Sequence, residues 1–422
     1  MVGFGAFLMS DLDELLPPGS LLVVEEPDVV QARDIATRAA AHRCFAALVT
    51  APIHDEDDLT AVLDSVPRPD GVCTVFPGVE YGVSAAAALA DRWGLPGAGP
   101  TAARILRDKG ALREAADRAG IPQPRWRRVT GAADVASFRD EFGGRCVLKP
   151  ANRQGSLGVQ LMEPSDDVAE AWALTTGVSE PRLRARRALP GTFLVEERLD
   201  GPEVSVECVV FKGQILFRNV TAKDVQPGRH PVEAGHRVPA VLPEETDEYL
   251  AALMTDLVVA TGFGSGVLHA EWILRDGRRP HLVECAGRIP GDSIHELIDL
   301  AHGGSLVEDL LTVLSGSGEV TSRRPGRHAA IRFLDQPPGT VEAVSGVSAA
   351  AELPGVVRAH LADLVGRTLQ AAASSQERVG YVLVTGASAE QARQRLDAAV
   401  SGISITTRQA RDQEPERTGK DT

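Results

Sequence analysis

Long apolar runs are missing from this chain of 422 residues: nowhere do about 18 apolar residues follow one another, which excludes a helical membrane span. Cysteine pairs are missing as well. Cys44, Cys73, Cys146, Cys208 and Cys285 stand singly with no Cys-x-x-Cys, which argues against a disulfide framework and against a zinc site. Positive charge is in deficit, with 44 Lys and Arg against 58 Asp and Glu, for a formal net charge of −14. Such a surface repels polyanions, so nucleic acid is not an expected partner and any nucleotide must meet a local basic site. Met1 to Ser10 has no basic residue ahead of its apolar ones, and Asp11, Asp13 and Glu14 follow closely. That pattern reads against a secretory signal and for a cytoplasmic protein. No glycine loop ends in Gly-Lys-Ser/Thr, so there is no Walker A sequence.

What is present is length enough for several units. Residues 1–100 alternate apolar runs (Leu21–Glu25, Cys44–Thr50, Gly71–Phe76) with helical stretches (Val30–His42, Val83–Trp93), the pattern of a Rossmann-like parallel α/β layer. Gly and Pro cluster at Gly94–Thr101, and a helix is expected from an N-cap at Thr101 toward Gly120. The next expected units are 101–190, with a phosphate-type loop, and 191–322, with strands at Phe193–Glu197, Val204–Lys212 and Gln214–Asn219. A small α+β unit is expected over 323–408, and a charged, disordered tail over 409–422. The Arg-rich stretch 180–187 reads as a solvated face. The fold class is therefore mixed α/β and α+β.

The most informative segment is a hairpin candidate, Val267–Arg275, then Asp276-Gly277, then Arg278–Cys285. Alternation puts Val267, His269, Glu271 and Ile273 on one face and Leu268, Ala270, Trp272 and Leu274 on the other. A two-residue loop sets Glu271 and Glu284 diagonally on one face; a four-residue loop sets them directly opposite. Either even loop brings the carboxylates together. Like charges roughly 5–8 Å apart need a cation or a proton, and Mg²⁺ with water and phosphate oxygens suits a carboxylate pair. The plain alternative is a solvent-facing sheet neutralised by nearby arginines.

A second segment, Asn152 to Val159, follows a strand ending in Lys149-Pro150. Its glycines let backbone N–H groups close over phosphates while the lysine supplies a point charge, although a plain turn has the same composition. The third is Phe193 to Glu203, an apolar strand running into acidic positions that suit adenine and ribose hydroxyls. It also reads as an ordinary strand and turn.

In this order the segments resemble the ATP-grasp superfamily, from about Thr101 to Leu300. Arg107-Asp108-Lys109 with Gly120-Ile121-Pro122-Gln123-Pro124 looks like the family's opening, Val147-Leu148-Lys149-Pro150 like its second phosphate lysine, and Gly155-Ser156-Leu157-Gly158-Val159 like its flexible loop. Glu196 to Glu203 is similar to the adenine strap of D-alanine:D-alanine ligases. The resemblance implies Lys109, Lys149, Gly155, Ser156 and Gly158 at the triphosphate. It also implies Glu196 at the adenine amino group, Leu199 at the ring through its backbone, and Glu203 at the ribose. Glu271 and Glu284 are implied as metal ligands, and Lys149 and Arg288 as groups acting on the transferring phosphate. One departure is Glu284-Cys285-Ala286-Gly287-Arg288, where Ala286 stands in place of the Asn that the resemblance implies as a ligand of a second Mg²⁺. Glu233 to Ala240, Arg288-Ile289-Pro290-Gly291-Asp292 and Arg378-Val379-Gly380-Tyr381 look like the L-amino-acid ligase branch, which places His236, Arg288 and Gly291 near substrate.

The implied fold is an ATP-grasp core between a Rossmann-like N-terminal domain and a small C-terminal domain. The implied activity is ADP-forming ligation of an acid and an amine through an acyl phosphate, with ATP and Mg²⁺, or Mn²⁺ in its place. Small-molecule substrates are the expected partners, with neither nucleic acid nor membrane; a homodimer is the oligomer to consider. Two rivals are a biotin-dependent type of carboxylase, although no Met-Lys-Met attachment site occurs, and a non-catalytic ATP-binding protein.

Overall fold

The computed structural model describes residues 1–408 except 181, 188, 190, 227–230, 322, 371 and 373. The tail expected to be disordered lies outside the described residues. No helix among those described is long and apolar enough to cross a membrane.

Near the N-terminus β1 (Leu21–Glu25) and β2 (Phe45–Thr50) pair in parallel, as their apolar runs lead one to expect. Residues 71–76 do not form the expected third strand. Gly71 turns with φ +72°, Pro77 brings no N–H to a ladder, and the layer is extended by Val2 instead, which bridges Val24 and Pro77. The expected helix 30–42 is broken at Asp34, whose φ of 49° separates Pro27–Arg33 from Ile35–Ala40. The helix expected from Thr101 is also two helices. Pro100 takes the first position behind Gly99, and the helix stops at Arg107. Asp108 is extended, and its carboxylate accepts from Ala111 N–H to open a second helix, Lys109–Ala119.

A four-stranded antiparallel sheet follows. It consists of β3 (Trp126–Val129), β4 (Cys146–Pro150), β5 (Gln160–Met162) and β6 (Phe193–Glu197), in the order β3-β6-β4-β5. Phe138, Cys146, Leu148 and Val195 lie in its core. The larger sheet takes β7 (Glu203–Phe211), β8 (Gln214–Val225), β9 (Glu233–Val238), β10 (Gly266–Arg275), β11 (Arg279–Ala286) and β12 (His328–Phe333). The remaining strands are β13 (Gly339–Ser345), β14 (Val356–Leu361), β15 (Thr368–Leu369), β16 (Gly380–Gly386) and β17 (Ser404–Arg408). Strands β16 and β14 join the larger sheet, in the order β11-β10-β7-β8-β9-β12-β16-β14, while β15-β13-β17 form a separate small sheet.

Alternation along β10 and β7 explains how the larger sheet is packed. Leu268, Ala270, Trp272 and Leu274, with Val204, Val206 and Cys208, are buried against Leu250 and Leu257 of helix Glu244–Thr261 and Leu112 of helix Lys109–Ala119. The opposite face carries the polar residues of the site. The Arg-rich stretch is a solvated face only in part, with Arg182, Arg186 and Arg187 exposed. Arg184 is buried, Arg187 pairs with Glu26, Arg186 N–H donates to Asp28 at 2.8 Å, and Ala185 N–H meets His54 at 3.1 Å. Acidic and imidazole acceptors on the N-terminal layer supply the partners that a local charge count leaves out.

Candidate active site

The β10–β11 hairpin has neither even loop. Arg275 faces Arg279 across three residues, among which Asp276 (φ 56°) and Gly277 (φ 74°) take the left-handed turn conformation. Continued without interruption, that register would set Glu271 opposite Val283 and turn Glu284 toward the apolar face. A β-bulge between Glu271 and Trp272 shifts the ladder by one residue, so that Trp272 faces Leu282 but Glu271 faces Glu284. The bulge is held from behind. Arg113, fully buried on helix Lys109–Ala119, donates to the carbonyls of Leu282 (2.9 Å) and Val283 (2.7 Å) and to the Glu196 carboxylate (2.9 and 3.2 Å).

The glutamate pair borders a cavity of about 270 Å³ between the two sheets. Lys109, Lys149, Gly155, Ser156, Glu196, Leu199 and Glu203 line it, and Val147, Leu161, Ile273 and Val283 give it an apolar part. Lys109 Nζ lies 3.0 Å from Glu284 and donates to the Arg153 carbonyl at 2.8 Å. Lys149 Nζ lies 2.7 Å from Glu196. Burial would push the Glu196 carboxyl up, but Arg113 and Lys149 outweigh it and hold it down at about 2. Both Glu196 oxygens are engaged by these two cations. Gly158 is absent from the cavity wall; a Cβ there would meet Pro150 at 3.0 Å and Val178 at 3.1 Å, so it is a close-packed corner of the loop. Gly155 (φ +60°) and Ser156 (φ 58°) are both left-handed, and Ser156 Oγ donates to the Pro231 carbonyl at 2.8 Å.

A second cavity of about 300 Å³ adjoins the first and shares Glu271, Glu284, Lys223 and Glu233 with it. Arg288, His236 and Gly291 line this one, not the first. Arg288 Nε donates to Glu80 at 2.6 Å, and Arg107 reaches the other Glu80 oxygen at 2.6 Å. Burial opposes ionisation of Glu80, yet the two arginines outweigh it and bring its carboxyl down to about 2. His236 is buried, with Nε2 3.2 Å from Asp292, which Arg378 also engages, at 2.9 Å through one of its nitrogens. His236 and Arg378 hold the Asp292 carboxyl below its ordinary range despite its burial. Pro290 to Ser293 leads into helix Ile294–His302, as its sequence suggests.

Several charged residues here escaped the sequence reading. Lys223 is buried and lies 2.8 Å from Glu271, 3.6 Å from Glu233 and 3.7 Å from Glu203. Burial lowers its pKa, but the three glutamates raise it well above the ordinary lysine value. The signal was available: β8 runs on past Asn219 to Val225, and alternation along that longer strand sets Lys223 opposite Glu203. Glu80 and Arg113 carried no local signal, and Arg378 was marked only as part of the Arg378–Tyr381 run, without a role of its own. Two opposed carboxylates on one wall, each reached by a lysine, are a donor set for a hard cation of the Mg²⁺ kind. No three His, Cys, Asp or Glu converge as a denser metal site among the described residues.

Residues 143–296 match the family model of the ATP-grasp domain, and residues 332–408 match that of the L-amino acid ligase C-terminal domain 2. The chain contains an ATP-grasp domain. Among curated relatives, the uncharacterized protein y4rH of Sinorhizobium fredii is 28% identical over 310 residues, 73% of this chain and 63% of that protein. Alanine–anticapsin ligase of Bacillus subtilis is 25% identical over 275 residues, 61% of this chain and 57% of the ligase. Both alignments span less than two thirds of the relative's length. In three dimensions the L-amino acid ligase from Bacillus licheniformis superposes with a TM-score of 0.76 at 19% identity, over 96% of this chain and 98% of that one. The biotin carboxylase domain of Hydrogenobacter thermophilus 2-oxoglutarate carboxylase, solved with MgADP, gives 0.65 at 15% identity over 95% and 88%. At such identities these superpositions establish a shared ATP-grasp fold.

Proposed function

We propose that this ATP-grasp protein is an ADP-forming carboxylate–amine ligase that activates an amino acid as an acyl phosphate and couples it to an amine, giving an amide or dipeptide. The observation that carries this reading is the bulged hairpin. It sets Glu271 and Glu284 side by side where a lysine-walled, partly apolar cavity meets a second cavity lined by Arg288 and His236. The matched ligase C-terminal domain, and relatives named as alanine–anticapsin and D-alanine–D-alanine ligases, support amino acids as the substrate class.

In this reading the first cavity receives ATP. Leu199 offers its main chain and the apolar wall its surface to adenine, Glu203 accepts from the ribose, and Lys109, Lys149 and Lys223 offset phosphate charge. Glu196 serves through Lys149, which it orients, and only its main chain remains for the adenine amine. Gly155 and Ser156 close their backbone over the phosphates, with Gly158 as the fixed corner of that loop. Glu271 and Glu284 would hold Mg²⁺, or Mn²⁺, whose charge neutralises the phosphates during transfer.

A substrate carboxylate oxygen attacks the γ-phosphorus as its bond to the bridging oxygen breaks, releasing ADP. The amine then attacks the acyl carbon, loses a proton and expels phosphate. Arg288, oriented by Glu80, stabilises negative charge on the tetrahedral intermediate and the departing phosphate. His236 and Gly291 lie on the acceptor side, where positioning supplies most of the rate. Exclusion of water by the Asn152–Gly158 loop keeps the acyl phosphate for the amine.

ADP release and mass-resolved products, measured with ATP, Mg²⁺ and pools of amino acids, test this. Release that requires both an acid and an amine is the expected result. Bicarbonate-dependent release would instead identify a carboxylase, and silence with every pool a nucleotide-binding protein without turnover.

A further inference from the structure

We propose that Glu207 and His269 are a buried positioning pair that fixes one oxygen of Glu271 and thereby sets the metal-binding wall of the site. The inference rests on the reading of Glu271 as a metal ligand and adds the groups that hold it. His269 lies two residues before Glu271 on the same face of β10, and Glu207 stands directly opposite His269 on β7. Glu207 has no exposure at all. It accepts from Ser205 Oγ (2.6 Å), His269 Nδ1 (2.9 Å), Asn219 Nδ2 (2.8 Å) and Thr221 Oγ1 (2.8 Å), so both of its oxygens are bound from two sides.

With Nδ1 tied to Glu207, the imidazole ring is set with Nε2 toward Glu271 Oε1, at 3.3 Å. Lys223 holds the other oxygen, Oε2, at 2.8 Å. Glu271 is thus gripped at each oxygen separately, while Glu284 pairs with Lys109 alone among the described residues. A carboxylate, an imidazole, an amide and two hydroxyls in mid-sheet cost desolvation that an apolar stripe of the same volume would avoid. The Asn219 amide also serves helix Ile294–His302, whose His302 Nε2 lies 3.1 Å from its Oδ1. Glu207 and His269 instead form a chain that ends on Glu271, and groups behind metal ligands hold a ligand carboxylate at a fixed angle in this way.

Mn²⁺ binding in the presence of a non-hydrolysable ATP analogue, read by electron paramagnetic resonance, tests the pair in Glu207→Gln, His269→Gln and Glu271→Gln beside the wild type. Thermal melts run alongside. Glu207→Gln and His269→Gln are expected to melt cooperatively and to weaken Mn²⁺ by about 10–100-fold. Binding of the analogue without metal stays at the wild-type value. Wild-type Mn²⁺ affinity in both variants, with weakened binding in Glu271→Gln, overturns the positioning role and leaves the metal site standing. Unchanged affinity in Glu271→Gln overturns the metal assignment beneath it. Loss of the cooperative melt in both Glu207→Gln and His269→Gln assigns the pair to stability alone and overturns the proposal too.

Discussion

Glu80 sits in a short 3₁₀ turn of the N-terminal layer, yet its carboxylate is shared by Arg107 and Arg288, with Lys109 also adding positive charge. Its native pKa of about 2 lies below the ordinary carboxylate value. Its contribution to stability is therefore complete above about pH 4.5 and is lost as pH falls toward 2. Urea unfolding of wild type and Glu80→Gln should show a stability gap at pH 7 that narrows below pH 4. Arg113 is the more severe case, because one guanidinium serves Glu196 and two bulge carbonyls. Arg113→Met leaves a buried carboxylate with Lys149 alone and is expected to cost about 3–5 kcal/mol, measured by denaturant unfolding. Residues of this kind are invisible in a linear reading, since their partners lie far away in sequence. Glu271 was legible because alternation along β10 is a local rule, whereas Glu284 reaches the same face only through the bulge.

At the scale of elements, the break between Arg107 and Lys109 matters most. Asp108 caps the second helix, and the cap places Lys109 at that helix's first turn, beside Glu284. Asp108→Ala removes the cap at Ala111 N–H and should cost about 1 kcal/mol of stability, read from the thermal midpoint. The single helix expected from Thr101 missed this because periodicity continues through both pieces, while the break is made by one extended residue. The hairpin teaches the same lesson from the other side. Asp276-Gly277 announced the turn, but neither even register is realised, and the bulge at Val283 restores the pairing that a three-residue loop would have lost. A bulge depends on what ties its unpaired backbone, here a side chain from another helix.

For the molecule as a whole, the proposed site lies where the four-stranded sheet, the larger sheet and the N-terminal layer meet, so ligand binding should couple to global stability. A non-hydrolysable ATP analogue with Mg²⁺, at 100 times its dissociation constant, should add about 2.7 kcal/mol and raise the thermal midpoint; EDTA should remove the Mg²⁺-dependent part. Glu284→Gln should fold normally, lose that increment and abolish turnover in the ADP-release assay. A full wild-type rate in that variant would refute the metal assignment.

By itself the sequence determined the local periodicities: which face of β10 is apolar, where the phosphate-type loop follows a lysine-tipped strand, and that two glutamates flank a turn. Those follow from chain geometry over a few residues, and the order of the segments carried the family. Only the tertiary structure decided the bulge register, the split helix, the docking of the Arg-rich stretch and the partners of Glu80, Glu196 and Glu271. Each of these depends on a charge balance or a backbone hydrogen bond completed by a residue distant in sequence, and local patterning contains no term for such a partner.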